Sequence, residues 1–186
     1  MLTYRNLVLS EAKLISDLIL SPFGTDYSLH HNYARIGFTI DYFRERITNF
    51  PLGLVGLIKN RKSKSDILLG LAFGTRLDEI ADTSSNNHFR NYDPKGKFFY
   101  IEGLITESCS TDLRIRKSLL NEIKKQAFFI DGIERVFVGI NAELNNQVIV
   151  DSLDGIFIQE FEDYYPCNSI TCNGLGKIVE FRKVKV

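Results

Sequence analysis

The residues best equipped for chemistry lie within one short stretch, KFFYIEGLITESCSTDLRIRKSLL, residues 97–120. Glu102 is the only charge in an otherwise apolar run from Phe98 to Thr106. Apolar surroundings raise a carboxylate's pKa toward neutrality, which makes it a usable general base. Glu107, just past the run, is the second carboxylate placed for that task; a paired or edge-exposed Glu102 is the plain structural alternative. Further on, Arg114, Arg116 and Lys117 crowd the start of a helical pattern whose N-cap is Thr111 or Asp112. Cations there oppose the helix dipole at roughly 0.3–1 kcal/mol each, and only Asp112 offsets them locally. An anionic ligand reverses the sign of that cost, because a helix N-terminus aims backbone N–H groups at whatever sits above it. A solvated basic helix face has the same composition, so the pattern is a hint and not a motif.

Other chemistries find little support. Cys109, Cys167 and Cys172 make an odd count, which speaks against a disulfide framework and for a reducing compartment. No histidine pair stands near Cys167 and Cys172, and the adjacent His30 and His31 cannot face the same way on a regular element. No metal site is expected. Lys and Arg total 23 against 23 Asp and Glu, so no global field favours nucleic acid or an acidic membrane surface. No run reaches the length of a membrane span and the N-terminus lacks a signal pattern, so the expectation is a soluble, cytoplasmic protein.

Those groups need elements to hold them. Phe98 to Thr106 reads as a strand with Phe99, Ile101 and Ile105 on one face and Phe98, Tyr100, Glu102, Leu104 and Thr106 on the other. Gly103 suits a bulge where strands splay. Ile115, Leu119, Ile123, Ala127 and Ile130 recur at helical spacing, Asp131-Gly132 stops that helix, and Arg135 to Ile140 is a second apolar run. Strand, crossover helix and strand form a parallel unit whose handedness is all but fixed.

Upstream, residues 2–9 read as a strand, and Ser10 as the cap of a helix from Glu11 to about Leu20 that Pro22 and Gly24 stop. A polar stretch dense in Tyr, His and Asn precedes a helix over about 39–50. Residues 52–59 and 67–77 form an antiparallel hairpin around the basic turn of Arg61, Lys62 and Lys64. The polar interval 78–96 is long for a compact domain: a lid, a partner-binding loop or a surface insertion. Downstream, 157–165 and 177–186 are two closing strands. The 186 residues suit one domain. The fold class is α/β in the mixed α+β sense, a central mixed sheet of about six or seven strands with about four helices.

This order, with a basic-started helix after the central strand, resembles the acyl-CoA-binding core of the GCN5-related N-acetyltransferases, the GNAT superfamily. Members carry Q/R-x-x-G-x-G/A at the strand-to-helix turn, followed by an apolar pair. Matching that pair to Leu119-Leu120 sets Thr111, Arg114 and Arg116 at the three signature positions. Both glycines are therefore arginines: either guanidinium groups take over phosphate contact, or acyl-CoA binding is altered or lost. The resemblance implies a cofactor site of Leu104, Ile105 and Thr106, whose backbone pairs with the pantetheine amides, of Thr111, Arg114, Ile115, Arg116 and Lys117 at the phosphates, and of Asn141 and Asn145. It implies Glu102 or Glu107 as base and an acceptor pocket from Tyr27, His30, His31 and Tyr33. The family frame N-x-x-A-x-x-L-Y-x-x-x-G-F, ended on Phe157, sets Ser152 at the tyrosine that protonates the leaving thiolate and Ile156 at the final glycine. Slipped by one residue, the frame puts Gly155 at its final glycine instead. Tyr164 and Tyr165 are spare acids.

The resemblance implies transfer of an acyl group, acetyl in the first instance, from acetyl-CoA or another acyl-CoA as co-substrate to an amine of a small molecule or protein, by a monomer or homodimer. Two alternatives stand beside it. One is a GNAT-fold protein that binds without catalysing. The other is an N-acyl synthase fed by acyl carrier protein, which the basic turn at Arg61, Lys62 and Lys64 would meet.

Overall fold

The structure, a computed structural model, describes residues 2–13, 44, 48, 54–59, 67–76, 97–106, 113–141, 146–161 and 176–183. Within these residues, runs of branched and aromatic side chains form seven strands: β1 (Leu2–Arg5), β2 (Leu54–Lys59), β3 (Ile67–Arg76), β4 (Phe98–Thr106), β5 (Arg135–Asn141), β6 (Ile156–Phe161) and β7 (Gly176–Arg182). They join in one sheet in the order β1-β2-β3-β4-β5-β7-β6. Every pairing is antiparallel except β4 with β5, the parallel pair that the crossover helix α1 (Leu113–Phe129) connects. A short helix, α2 (Asn146–Asp151), lies between β5 and β6. The mixed sheet, the parallel unit, the β2–β3 hairpin and the paired closing strands all match the sequence expectation.

The core sits between the sheet and α1. Leu119, Leu120, Ile123 and Ala127 of the helix meet Ala72, Phe99, Ile101, Leu104, Val136, Val138, Ile140, Val179 and Phe181 of the sheet, with Val150 and Leu153 at one flank. Burying a large apolar side chain is worth about 1.5–3 kcal/mol, far more than the helix propensity of a single residue, so packing and not local preference holds α1 in place. On the opposite face Leu71, Phe73, Phe98, Tyr100, Phe137 and Ile178 are also buried. There the ring of Phe98 meets Phe137 edge-on at 5.6 Å. The buried Glu180 carboxylate lies 2.5 Å from Arg182 Nε and 3.8 Å from Arg135 Nε. This ion triad fastens β5 to β7 where β4 and β5 are still paired.

Two expectations need correction. The first strand is shorter than 2–9. It stops at Arg5, whose Nη1 and Nη2 donate to Glu11 Oε2 and Oε1 at 2.9 and 2.6 Å, while Val8 N donates to the same carboxylate at 2.9 Å. Burial alone would raise the Glu11 carboxyl, but the Arg5 hydrogen bonds, the Val8 amide and the Arg5 charge outweigh it and hold it below its ordinary value. Ser10 therefore lies inside a 3-10 turn, Leu9–Glu11, and is not its cap. Of the two predicted early helices, Ala12, Lys13, Arg44 and Thr48 are described and helical, Thr48 Oγ1 donating to Arg44 O at 2.8 Å; their other residues, like the 78–96 interval, lie outside the described residues.

The second correction concerns β4. Phe73 pairs with Gly103 but Gly74 pairs with Ile101, so Glu102 is an extra residue, a bulge of the kind Gly103 suggested. The extra residue inverts the alternation: Leu104 joins Phe99 and Ile101 in the helix-side core, not the face of Tyr100. Two glycines make the bulge possible. A Cβ on Gly74 would stand 2.3 Å from the Tyr100 carbonyl oxygen and 2.6 Å from Phe99 Cε1; one on Gly103 would stand 2.4 Å from the Phe73 ring. Gly74→Ala is expected to lower unfolding free energy by about 2–3 kcal/mol, read as a lower urea midpoint at unchanged slope. A loss below about 0.5 kcal/mol would show that the strands do not approach this closely.

Candidate functional site

The parallel pairing of β4 and β5 covers only Phe98 to Ile101 against Arg135 to Val138. Beyond that point the two strands follow different partners. Gly103 to Thr106 continue along β3, opposite Phe73 to Gly70, whereas Gly139 to Asn141 continue along β7, opposite Ile178 to Gly176. Among the described residues no strand pairs with the β5-facing edge of β4 past Ile101. The result is a cleft roughly 15 Å long, from the advance of about 3.3 Å per strand residue over Glu102 to Thr106. It opens at the C-terminal ends of the two parallel strands, the crevice where open α/β sheets take ligands. Helix α1 starts at Leu113, shortly after β4 ends, so its N-terminus belongs to this end of the sheet.

The sequence candidates fall around the cleft in different ways. Glu102 occupies the bulge where the split begins. Leu104 is fully buried in the core, leaving its backbone to the cleft, and Ile105 and Thr106 pair with Leu71 and Gly70 on the far side. Asn141 ends β5 across the split. The first turn of α1 contains no acidic residue, and Arg114 and Lys117 are exposed there. Ile115 packs against the core. Ser152 is exposed in the turn after α2, its N–H bonded to Val148 O at 3.1 Å. Glu107, Thr111, Asn145, Tyr164, Tyr27, His30, His31 and Tyr33, and the basic turn of Arg61, Lys62 and Lys64, lie outside the described residues.

Arg116 differs from its neighbours. It is only 5% exposed, its Nη2 closed off from solvent, and it shares the sheet-facing stripe with Leu120, Ile123 and Ala127. A buried cation in the first turn of a helix carries a desolvation cost on top of an unfavourable dipole. The helical period that predicts α1 also puts Arg116 on this stripe, four residues before Leu120, so its burial was there to be found.

The end of α2 packs beside the part of β5 that is paired with both β4 and β7. Gly155 N donates to Val150 O at 3.0 Å and Asp154 N to Asp151 O at 3.2 Å, with Asp154 in the left-handed region at φ 59°. This is the Schellman pattern. A Cβ on Gly155 would stand 2.3 Å from Val150 Cγ1 and 2.7 Å from Val179 Cγ1. Only glycine fits there.

Lys124 and the Tyr4–Ser118 pair escaped sequence reasoning because their partners are distant in the chain. Lys124 Nζ donates to Leu153 O at 3.2 Å and lies 5.1 Å from the centroid of the Phe181 ring. Burial pulls its pKa below the ordinary lysine value; the Asp154 charge opposes that and Lys125 adds to it. The Tyr4 hydroxyl and Ser118 Oγ share a hydrogen bond between β1 and α1, and burial, then the Glu122 charge, raises the phenol. Among the described residues no cluster of His, Cys, Asp and Glu could hold a metal ion, and no helix is long and apolar enough to cross a membrane.

The fold is that of the GNAT superfamily. Solved structures match nearly end to end at low identity: the mosquito arylalkylamine N-acetyltransferase like 5b (TM-score 0.67, 10% identity, 98% of this chain and 100% of that one) and Arabidopsis thaliana NAA60 in complex with a bisubstrate analogue (0.65, 16%, 98% of each). The GphF GNAT-like decarboxylase in complex with isobutyryl-CoA also matches (0.61, 15%, 97% of this chain and 98% of that one). No protein-family model matches the sequence, and no curated protein does.

The cost of the buried arginine makes a measurable statement. Arg116→Met keeps the length of the side chain but removes its charge and its contacts within the protein, so in the unliganded protein it should cost about 1 kcal/mol. A loss above about 2 kcal/mol in chemical denaturation would make Arg116 a structural strut instead of a binding group.

Proposed function

We propose that the chain binds an acyl-CoA in the β4–β5 cleft and transfers its acyl group to an amine. The cleft itself carries the reading: strands paired to Ile101 and Val138, open edges beyond, and a helix start with three basic residues and no acidic one. An open strand edge suits an extended ligand with amide groups, and the helix start suits a phosphorylated end. Acyl-CoA has both. Three structures of similar fold support this choice of ligand, being complexes with isobutyryl-CoA, CoA and acetyl-CoA.

In this reading the backbone of Leu104, Ile105 and Thr106 lines up the pantetheine arm. Thr111, Arg114, Ile115, Arg116 and Lys117 form the phosphate end, with Asn141 and Asn145 opposite. Glu102, or Glu107 behind it, takes a proton from the acceptor ammonium, directly or through water, so that the free amine attacks the thioester carbonyl. The tetrahedral intermediate gives up the second nitrogen proton to water and collapses, expelling the CoA thiolate, which takes a proton from Ser152, Tyr164 or water. Tyr27, His30, His31 and Tyr33 form the acceptor pocket, and the whole of 1–186 acts as one domain. Arginine at both signature glycine positions favours a second reading, binding without transfer.

Acetyl-CoA at about 100 times its Kd should raise the melting temperature by about 5–10 °C, from roughly 2.7 kcal/mol of linkage at about 2–4 °C per kcal/mol. Arg116→Met should abolish most of that rise. Release of free CoA with a panel of amines, lost in Glu102→Gln, supports transfer. Binding without release supports the second reading, turnover only with acyl-carrier thioesters moves the donor to a carrier protein, and no shift with any CoA thioester overturns the donor assignment.

A further inference from the structure

The open edge of β4 has a definite length, and that length leaves little for an acyl group. From Glu102 to Thr106 it advances roughly 15 Å. The pantetheine arm of CoA has about twelve bonds from its sulfur to its phosphate ester oxygen, the backbone of about four residues, or roughly 13–14 Å extended. With the phosphates at the start of α1, the arm takes up the whole open edge. Its thioester then stands at the vertex of the split, beside Glu102 and Gly103. The vertex is closed behind by the last pairs of the parallel ladder, Tyr100 with Phe137 and Ile101 with Val138, all four side chains fully buried. On the helix side, Ile101, Leu104, Val138 and Ile140 belong to the core packed under α1. The other face differs. Residue 103 contributes no side chain there, and the ring of Phe73 occupies its place: a Cβ on Gly103 would stand 2.4 Å from both Phe73 Cε1 and Phe73 Cζ. Phe73 is itself 1% exposed, so its neighbours hold the ring over the bulge.

We propose that Phe73 is the residue that selects the acyl group: its ring is the end wall of a short pocket over Gly103, which takes acetyl and other short chains and rejects long ones. A longer chain has to push into the core under α1 or displace the ring. Interiors have few voids larger than a water molecule, and forcing extra methylene groups into one is unfavourable. The ring is the cheaper barrier to remove, because it comes from a single residue of β3, whereas the helix side is closed by side chains from several elements. The inference rests on the acyl-CoA reading and deepens it, by naming the class of acyl group the donor carries.

The test measures by titration calorimetry how CoA, acetyl-CoA, butyryl-CoA and hexanoyl-CoA bind to the full chain. Wild type is compared with Phe73→Leu, Phe73→Met and Phe98→Leu, the last shrinking a ring on the same face but at the closed end of the strand pair. Wild type should bind acetyl-CoA at least about tenfold more tightly than hexanoyl-CoA, within the usual penalty for overfilling a packed site. Phe73→Leu should shift that ratio toward hexanoyl-CoA by about tenfold, the worth of roughly two newly buried methylene groups, with CoA itself bound as in wild type. Phe73→Met keeps most of the volume on a chain that bends aside, and should shift the ratio the same way by less; it decides the matter if Phe73→Leu does not fold. Phe98→Leu should keep the wild-type ratio. Equal affinity of wild type for all three thioesters overturns the short pocket. An unchanged ratio in the Phe73 variants, or the same shift in Phe98→Leu, overturns the role of Phe73. Wild type that binds neither CoA nor any thioester defeats the donor reading itself, an outcome distinct from CoA binding without preference for chain length.

Discussion

The cleft depends on a contact between two strands that leaves no room for a side chain. At Gly74 the backbone of β3 lies so close to β4 that a Cβ would stand 2.3 Å from the Tyr100 carbonyl oxygen. With the strands that close, β4 takes up Glu102 as an extra residue, and a bulge of this kind bends its strand and increases the local twist. The bend comes at the last residue pair that β4 shares with β5, Ile101 and Val138. From there β4 stays with β3 and β5 stays with β7. The same extra residue turns Leu104 into the helix-side core, where it is fully buried, so burial favours the bulged register over a regular one by the worth of a leucine, about 1.5–3 kcal/mol. Phe73 covers Gly103 on the opposite face and fills the space its missing side chain leaves.

The two ends of the β4–β5 pair are held by opposite arrangements of charge. At the closed end the buried Glu180 lies between Arg182 and Arg135, and the edge-on Phe98–Phe137 contact packs beside them. At the open end the first turn of α1 has two basic residues, one of them buried, and no acidic one, with Lys117 directly after, at the positive pole of the helix dipole. The closed end is satisfied within the protein. The open end suits a ligand that brings negative charge, and the buried Arg116 stands there. Toward the closed end, Gly155 leaves no room for a side chain between Val150 and Val179, and Lys124 reaches from α1 to Leu153 O.

Much of this was legible in the residues. The period of Ile115, Leu119, Ile123 and Ala127 defines α1 to within a residue, and the apolar runs define β4 and β5, because burial on one face leaves a regular trace. Gly103 marks the bulge. What alternation alone missed is its effect on phase: counting by twos from Phe98 puts Leu104 beside Tyr100, and only the pairing with β3 shows the count slipping at Glu102. β1 is shorter than its apolar pattern because the Arg5–Glu11 pair, with the Val8 amide, turns the chain before Ser10. Gly155 was visible as a residue, but its role required Val150, Val179 and Phe181 to be brought around it. Lys124 reads on its own as a solvated helix lysine. Its partners are fixed by the tertiary fold, and no local pattern announces them.

The central claim is that the β5-facing edge of β4 is open beyond Ile101 and receives the donor there. Amide hydrogen exchange, measured residue by residue along β4 with and without saturating acetyl-CoA, tests it directly. The account predicts that Phe99 to Ile101 are protected in both states, while amides within Gly103 to Thr106 exchange faster in the free protein and gain protection on addition of the ligand. Uniform protection along β4 without ligand, or ligand-induced protection confined to other parts of the chain, would contradict it.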